Sequence, residues 1–113
     1  MDNTRQMVFN YMSDDIYGIR DMMHEMIRDS HDGWIDTHDF IRQYMQYNQR
    51  EYVKWLAVKV LDTTASDPFK RVHGYIGEFL SENRDELQID GKGKVRSLNI
   101  FGSKSPAEKW VKA

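Results

Sequence analysis

Apolar positions recur at helical spacing in several stretches of this chain and at strand spacing in one stretch near its end. From 68 to 83 the stripe is Phe69, Val72, Ile76, Phe79 and Leu80, all on one side of a helix. Asp67 is placed to cap that helix and Pro68 to occupy its first turn, where a missing N–H costs nothing. The opposite side carries Lys70, Arg71, Gly74, Gly77 and Ser81, a flat face with two cations. Next, Leu87-Gln88-Ile89 alternates as a strand, Asp90-Gly91-Lys92-Gly93-Lys94 reads as a tight turn, and Val95 to Phe101 as the returning strand. Leu87, Ile89, Leu98 and Ile100 then share the face turned to the core, with Lys92, Lys94 and Arg96 at the tip or in solvent.

Earlier in the chain, Met7, Val8, Tyr11 and Met12 predict a short helix within residues 1–12. Ser13, followed by Asp14 and Asp15, reads as the start of a helix over 14–28. Its stripe of Ile16, Ile19, Met23, Met26 and Ile27 is widened by Tyr17 and Met22, enough for a core face or for a homodimer contact through this helix. A helix from Thr37 to about Gln46 follows, with Phe40, Ile41 and Tyr44 inward; Tyr47-Asn48-Gln49 breaks it, and Asn48 caps a helix over 49–61. Tyr52, Val53, Trp55, Leu56 and Val60 should be mostly buried there, while Arg50, Lys54 and Lys59 remain outside. Residues 62–66 read as a linker. Ser105-Pro106-Ala107-Glu108 has the form of a capping box and predicts a terminal helix over 102–113 that returns Trp110 and Val111 to the body.

The run from Arg28 to Phe40 admits two readings. In one, Asp32-Gly33 turns, Trp34-Ile35 forms a short strand that joins the later hairpin, and Asp36 or Thr37 caps the next helix. In the other, Ser30, Asp32, Gly33, Ile35, Asp36 and Asp39 follow the ligand spacing of an EF-hand loop. That match lacks its first carboxylate, since Arg28 stands there, and Asp39 is shorter than the usual glutamate, so calcium is a third-ranked reading. His24, His31 and His38 are seven residues apart, but Gly33 interrupts the helix that would align them, and no metal site is assigned.

Composition narrows the picture. The 113 residues suit one domain, and the absence of cysteine excludes disulfides and thiolate metal sites. No apolar run is long enough to span a bilayer and no signal peptide is evident, so an intracellular, cytoplasmic protein is expected. The net charge of −2 hides an asymmetry: residues 1–47 carry four arginines against nine acids, or −5, and residues 48–113 carry twelve basic against nine acidic residues, or +3. From Leu87 onward six cations face two acids, or +4. A basic end suits an anionic partner. No nucleophile in a recognisable catalytic setting and no glycine-rich phosphate loop is present, so no enzyme and no cofactor is predicted.

A helix that leads directly into a hairpin, with a short strand and a helix-turn-helix before it, resembles a winged helix-turn-helix domain. The expected fold class is therefore mainly α with a small antiparallel hairpin or three-stranded sheet (α+β), winged-helix-like over 13–101. The resemblance implies a non-enzymatic, regulatory nucleic-acid-binding module, with duplex DNA as partner. Lys70 and Arg71 on the 68–83 helix, Lys92, Lys94 and Arg96 on the wing, and Lys104 would be its contacts. The alternative is a protein-interaction or inhibitor module that works through its acidic first half, with Met22, Met23, Met26 and Trp34 at the interface.

Overall fold

The computed structural model describes residues 3–61 and 67–113, and the linker expected at 62–66 lies outside them. It is mainly helical with one three-stranded antiparallel sheet. Helix α1 spans Thr4–Asp14 and α2 Ile16–Asp29, and a two-residue strand β1 (Ile35–Asp36) precedes α3 (Thr37–Tyr47). Then come α4 (Gln49–Val60), α5 (Pro68–Glu82), the single turn α6 (Arg84–Leu87), β2 (Ile89–Leu98) and β3 (Lys104–Lys112). No helix among the described residues is long and apolar enough to cross a membrane.

Each helix contributes one stripe to a common core. Val8 and Met12 of α1, Ile19, Met23 and Ile27 of α2, and Phe40, Ile41 and Tyr44 of α3 are buried at three- or four-residue spacing. Val72, Ile76, Phe79 and Leu80 bury one side of α5 as the periodicity predicts. Aromatic edges tie the bundle together: Phe9 meets Phe79 at 5.4 Å and Tyr11 meets Trp55 at 5.6 Å, both near perpendicular.

The helix starts at Asp36 and Asp67 form as expected. The Asp36 carboxylate accepts the Asp39 N–H at 2.9 Å and the Asp39 carboxylate accepts the Asp36 N–H at 3.0 Å, a reciprocal capping box. Two of the three carboxylates of the suggested calcium loop, Asp36 and Asp39, are thereby engaged at a helix end. Asp67 accepts the Lys70 N–H at 3.0 Å. Ser13 does not begin a helix: burial of Val8 and Met12 draws α1 on to Asp14, and the break falls at Asp15. Asn48 occupies the cap position of α4 without capping it, because its amide donates back to the Tyr44 carbonyl and its oxygen accepts from the Tyr11 hydroxyl. On α4, Tyr52, Trp55 and Lys59 are buried, whereas Val53 and Val60, expected inside, are over 60% exposed (61% and 63%). Lys59, expected outside, runs inward to a hydrogen bond with the Tyr75 hydroxyl at 3.0 Å.

The end of the chain departs most from the expected pattern. Leu87 is buried as the last residue of α6, not in a strand, and Gln88 turns the chain in the left-handed region (φ 54°). The strand then runs without reversal from Ile89 to Leu98, so Lys92, Lys94 and Arg96 lie along it and not at its tip. Gly91 and Gly93 do not make the turn; they carry a register shift within β2, with Gly93 at φ 92°. The reversal comes at 99–103, where the Asn99 side chain accepts the N–H groups of Phe101 and Ser103 and Gly102 takes φ 79°. Residues 104–112 form β3 instead of a helix. Strand pairing wins because Trp110, 1% exposed, pairs with Ile35 on one side and Gly91 on the other, with its Nε1–H donating to Thr37 Oγ1 at 3.0 Å. Pro106 is tolerated because β1 does not extend to that part of β3. Leu98, expected in the core, is consequently exposed beside the turn.

Candidate nucleic-acid interface

The hairpin holds a row of cations. Lys92, Lys94 and Arg96 are exposed on β2, and Lys104 stands opposite Leu98 at the start of β3. Strand alternation puts Lys94 and Arg96 on one face, paired across the ladder with Glu108 and Pro106. Lys70 and Arg71 project from the first turn of α5, where the positive end of the helix dipole makes a cation unfavourable. Among the described residues, none of these six cations has a carboxylate at ion-pair distance.

Helix and hairpin meet at an open cleft of about 750 Å³. Lys70, Gly74, Gly77 and Ser81 line it from α5, and Lys94, Phe101 and Pro106 from the hairpin. Thr37, His38 and Ile41 of α3 add to the lining, as do the carboxylates of Asp67, Glu78, Glu82 and Glu108. The glycine face of α5 therefore looks across at the hairpin. Its two glycines are not packing requirements: a Cβ at Gly74 would meet nothing within 4 Å, and one at Gly77 would make an ordinary 3.6 Å contact with Thr37. What they contribute is space. At the far end, Glu78 and Glu82 are both bound by Arg5, each at 2.7 Å, which reduces the negative charge at that end.

Three histidines brace this region. His24 Nε2 lies 2.9 Å from the Leu87 carbonyl and 3.0 Å from that of Gln88; with acceptors alone facing it, that nitrogen carries the proton and holds the turn into β2. His38 joins α3 to both strands of the hairpin, through Ser97 at 2.8 Å and Ser105 at 3.2 Å, which are themselves cross-strand partners. His73 stacks on Tyr52, with the hydroxyl 2.6 Å from its Nε2. Burial, then the nearby His38, push its pKa down to about 4, and burial pushes Tyr52 up to about 12. Near neutrality the phenol therefore donates to an uncharged ring.

Of the residues expected at a protein interface, Met23 is fully buried and Met22 and Met26 are partly buried against the core, whereas Tyr17 on the same helix stays exposed. Trp34 is half-buried under the Lys109 ammonium, 4.8 Å from the ring centroid. Among the described residues no group of three or more histidine or acidic side chains could hold a metal ion. Two site features escaped the sequence reading, Asn99 and Phe101, although an asparagine three residues before a glycine is a legible turn signal. No protein-family model, curated protein or solved structure matches this chain.

Proposed function

We propose that this chain is a non-enzymatic nucleic-acid-binding module of regulatory type, built on a winged-helix plan. The observation that carries this reading is the set of six exposed cations, without an ion pair among the described residues, shared between the start of α5 and the hairpin. A strand holding side chains about 7 Å apart along one face matches the spacing of phosphates along a backbone. The sheet order β1-β3-β2, with a short strand between α2 and α3 and a hairpin after the last helix, supports the winged-helix resemblance. Lys70 and Arg71 are the helix contacts; Lys92, Lys94, Arg96 and Lys104 are those of the wing. Because the glycine face of α5 lines a cleft, the helix contributes its first turn and not its whole length.

The test is fluorescence anisotropy of labelled random duplex DNA at low and moderate salt, with the Lys92→Ala/Lys94→Ala/Arg96→Ala variant alongside. Salt-sensitive binding that the variant loses supports the proposal, whereas no binding at low salt refutes it. A second reading, contact with another protein, is favoured by a different surface from the acidic first half. Val53, Ala57, Val60 and Leu61 form an exposed apolar stripe on and just after α4, edged by Arg50 and Lys54. Binding to DNA that survives Val53→Ser/Val60→Ser unchanged would separate that stripe from the nucleic-acid surface.

A further inference from the structure

We infer that the cleft between α5 and the hairpin accepts an unpaired nucleobase stacked on Phe101, so that the module engages single-stranded or locally opened nucleic acid. The inference rests on the nucleic-acid reading and deepens it. Phe101 sits in the turn joining β2 and β3 and is 59% exposed. Phe69 meets its ring at 5.0 Å and 87°, an edge-to-face contact, and Phe69 in turn packs against the core. An aromatic ring held from within the fold yet open to solvent is a stacking platform, and stacking suits any base because each has a π-face.

The lining of the cleft selects a neutral, flat, polar group over an anion. Asn99 spends its side-chain oxygen on the Phe101 and Ser103 N–H groups, which fixes the amide and leaves its nitrogen without a partner among the described residues. Glu108 lines the same cleft with a carboxylate that has neither an ion pair nor a hydrogen bond among the described residues. The Asn99 amide nitrogen, in the same turn as Phe101, suits an acceptor on the edge of a heterocycle, while Glu108 lies further along the hairpin with its carboxylate over Gly91. Four carboxylates, Asp67, Glu78, Glu82 and Glu108, outnumber the cations Lys70 and Lys94 in the lining even with Arg5 on two of them, which disfavours a phosphate deep in the cleft, while Arg96 and Lys104 lie along the hairpin that leads to Phe101. Phosphates therefore follow the hairpin while the base turns inward. The bare face at Gly74 keeps the entrance wide enough.

Anisotropy with four probes tests this: a labelled single strand, the same backbone with abasic sites in place of bases, a duplex of equal length, and a free mononucleotide as competitor. The expected order is single strand tighter than both the abasic strand and the duplex, with the mononucleotide a weak competitor. Phe101→Ala should weaken the single strand by roughly 5- to 150-fold and leave the abasic strand unchanged. Gly74→Leu, which fills open space on a helix, should do the same without disturbing the fold. Equal affinity for normal and abasic strands, or a Phe101→Ala variant that binds as wild type, overturns the stacking inference while leaving phosphate binding intact. A mononucleotide that competes as well as the strand assigns the cleft to a free nucleotide and overturns the strand. Failure of the wild type to bind any probe removes the nucleic-acid reading itself.

Discussion

The arginines of the first half and the cations of the hairpin differ in what surrounds them. Arg5 is held by Glu78 and Glu82, Arg20 by Asp21, Arg28 by Glu25 and Asp29, and Arg42 by Asp39. Lys92, Lys94, Arg96 and Lys104 have no such partners among the described residues. A charge already matched on the surface gains little from a new anion, whereas an unmatched one is free to replace its counterion with a phosphate. The difference teaches that the overall charge of −2 is a poor guide to what this molecule binds. The distribution of unmatched charge is the better one.

The sharpest way to break the contrast is at the seam between the two regions. Trp110 joins β3 to Ile35 and Thr37 and is buried among residues of both. Trp110→Ala should cost about 3–5 kcal/mol, measured by urea denaturation, because it removes a large core side chain and a buried hydrogen bond. His24 makes a second, smaller link, from the acidic helix α2 to the start of β2. His24→Ala should cost about 1–2 kcal/mol by leaving two carbonyls less well satisfied.

His73 adds a dependence on pH. Its folded pKa, about 4, lies below the ordinary value of 6.5, so the unfolded chain takes up the proton first as the solution is acidified. Stability contributed by the neutral ring is complete above about pH 6.5 and declines as pH falls towards 4. Thermal unfolding against pH should show this decline, and His73→Gln should flatten it in that window. The smallest change expected is a gain. Gly74→Ala should stabilise the fold by roughly 0.5–1 kcal/mol, since the new methyl meets nothing and a helix interior disfavours glycine. A loss in its melting temperature would show that the glycine is needed for folding and not for the cleft.

How far the fold could be read from the chain varied with the kind of signal. The core stripes of α2, α3 and α5 were legible because apolar spacing there coincides with burial, and Asp36 and Asp67 announced two helix starts that form. The short strand at Ile35 was legible for a similar reason, lying between a glycine and a cap. Residues 88–112 were misread because two local signals are outweighed by tertiary pairing. Asp90-Gly91 looks like a hairpin turn but carries a register shift, and Ser105-Pro106-Ala107-Glu108 looks like a helix start but pairs with β2. Only the partner strand decides between these outcomes, and it lies distant in sequence. The cations of the candidate interface were identified by charge alone. Their relation to the cleft was not, since Lys70 and Lys94 share a lining only once the hairpin folds across α5. Lys59 shows the reverse case, a cation expected in solvent whose stem the bundle buries.

The most direct test measures the salt dependence of DNA binding for two matched variants. One removes Lys92, Lys94 and Arg96, and the other removes Arg5, Arg20 and Arg28, each to alanine. The contrast predicts that the slope of log affinity against log salt falls by roughly 3 units in the first variant, about 0.9 for each phosphate of duplex DNA that is no longer neutralised. In the second it stays at the wild-type value. Equal slopes in both variants, or a wild type whose binding is indifferent to salt, would contradict the claim that the hairpin cations, unmatched among the described residues, form the binding surface.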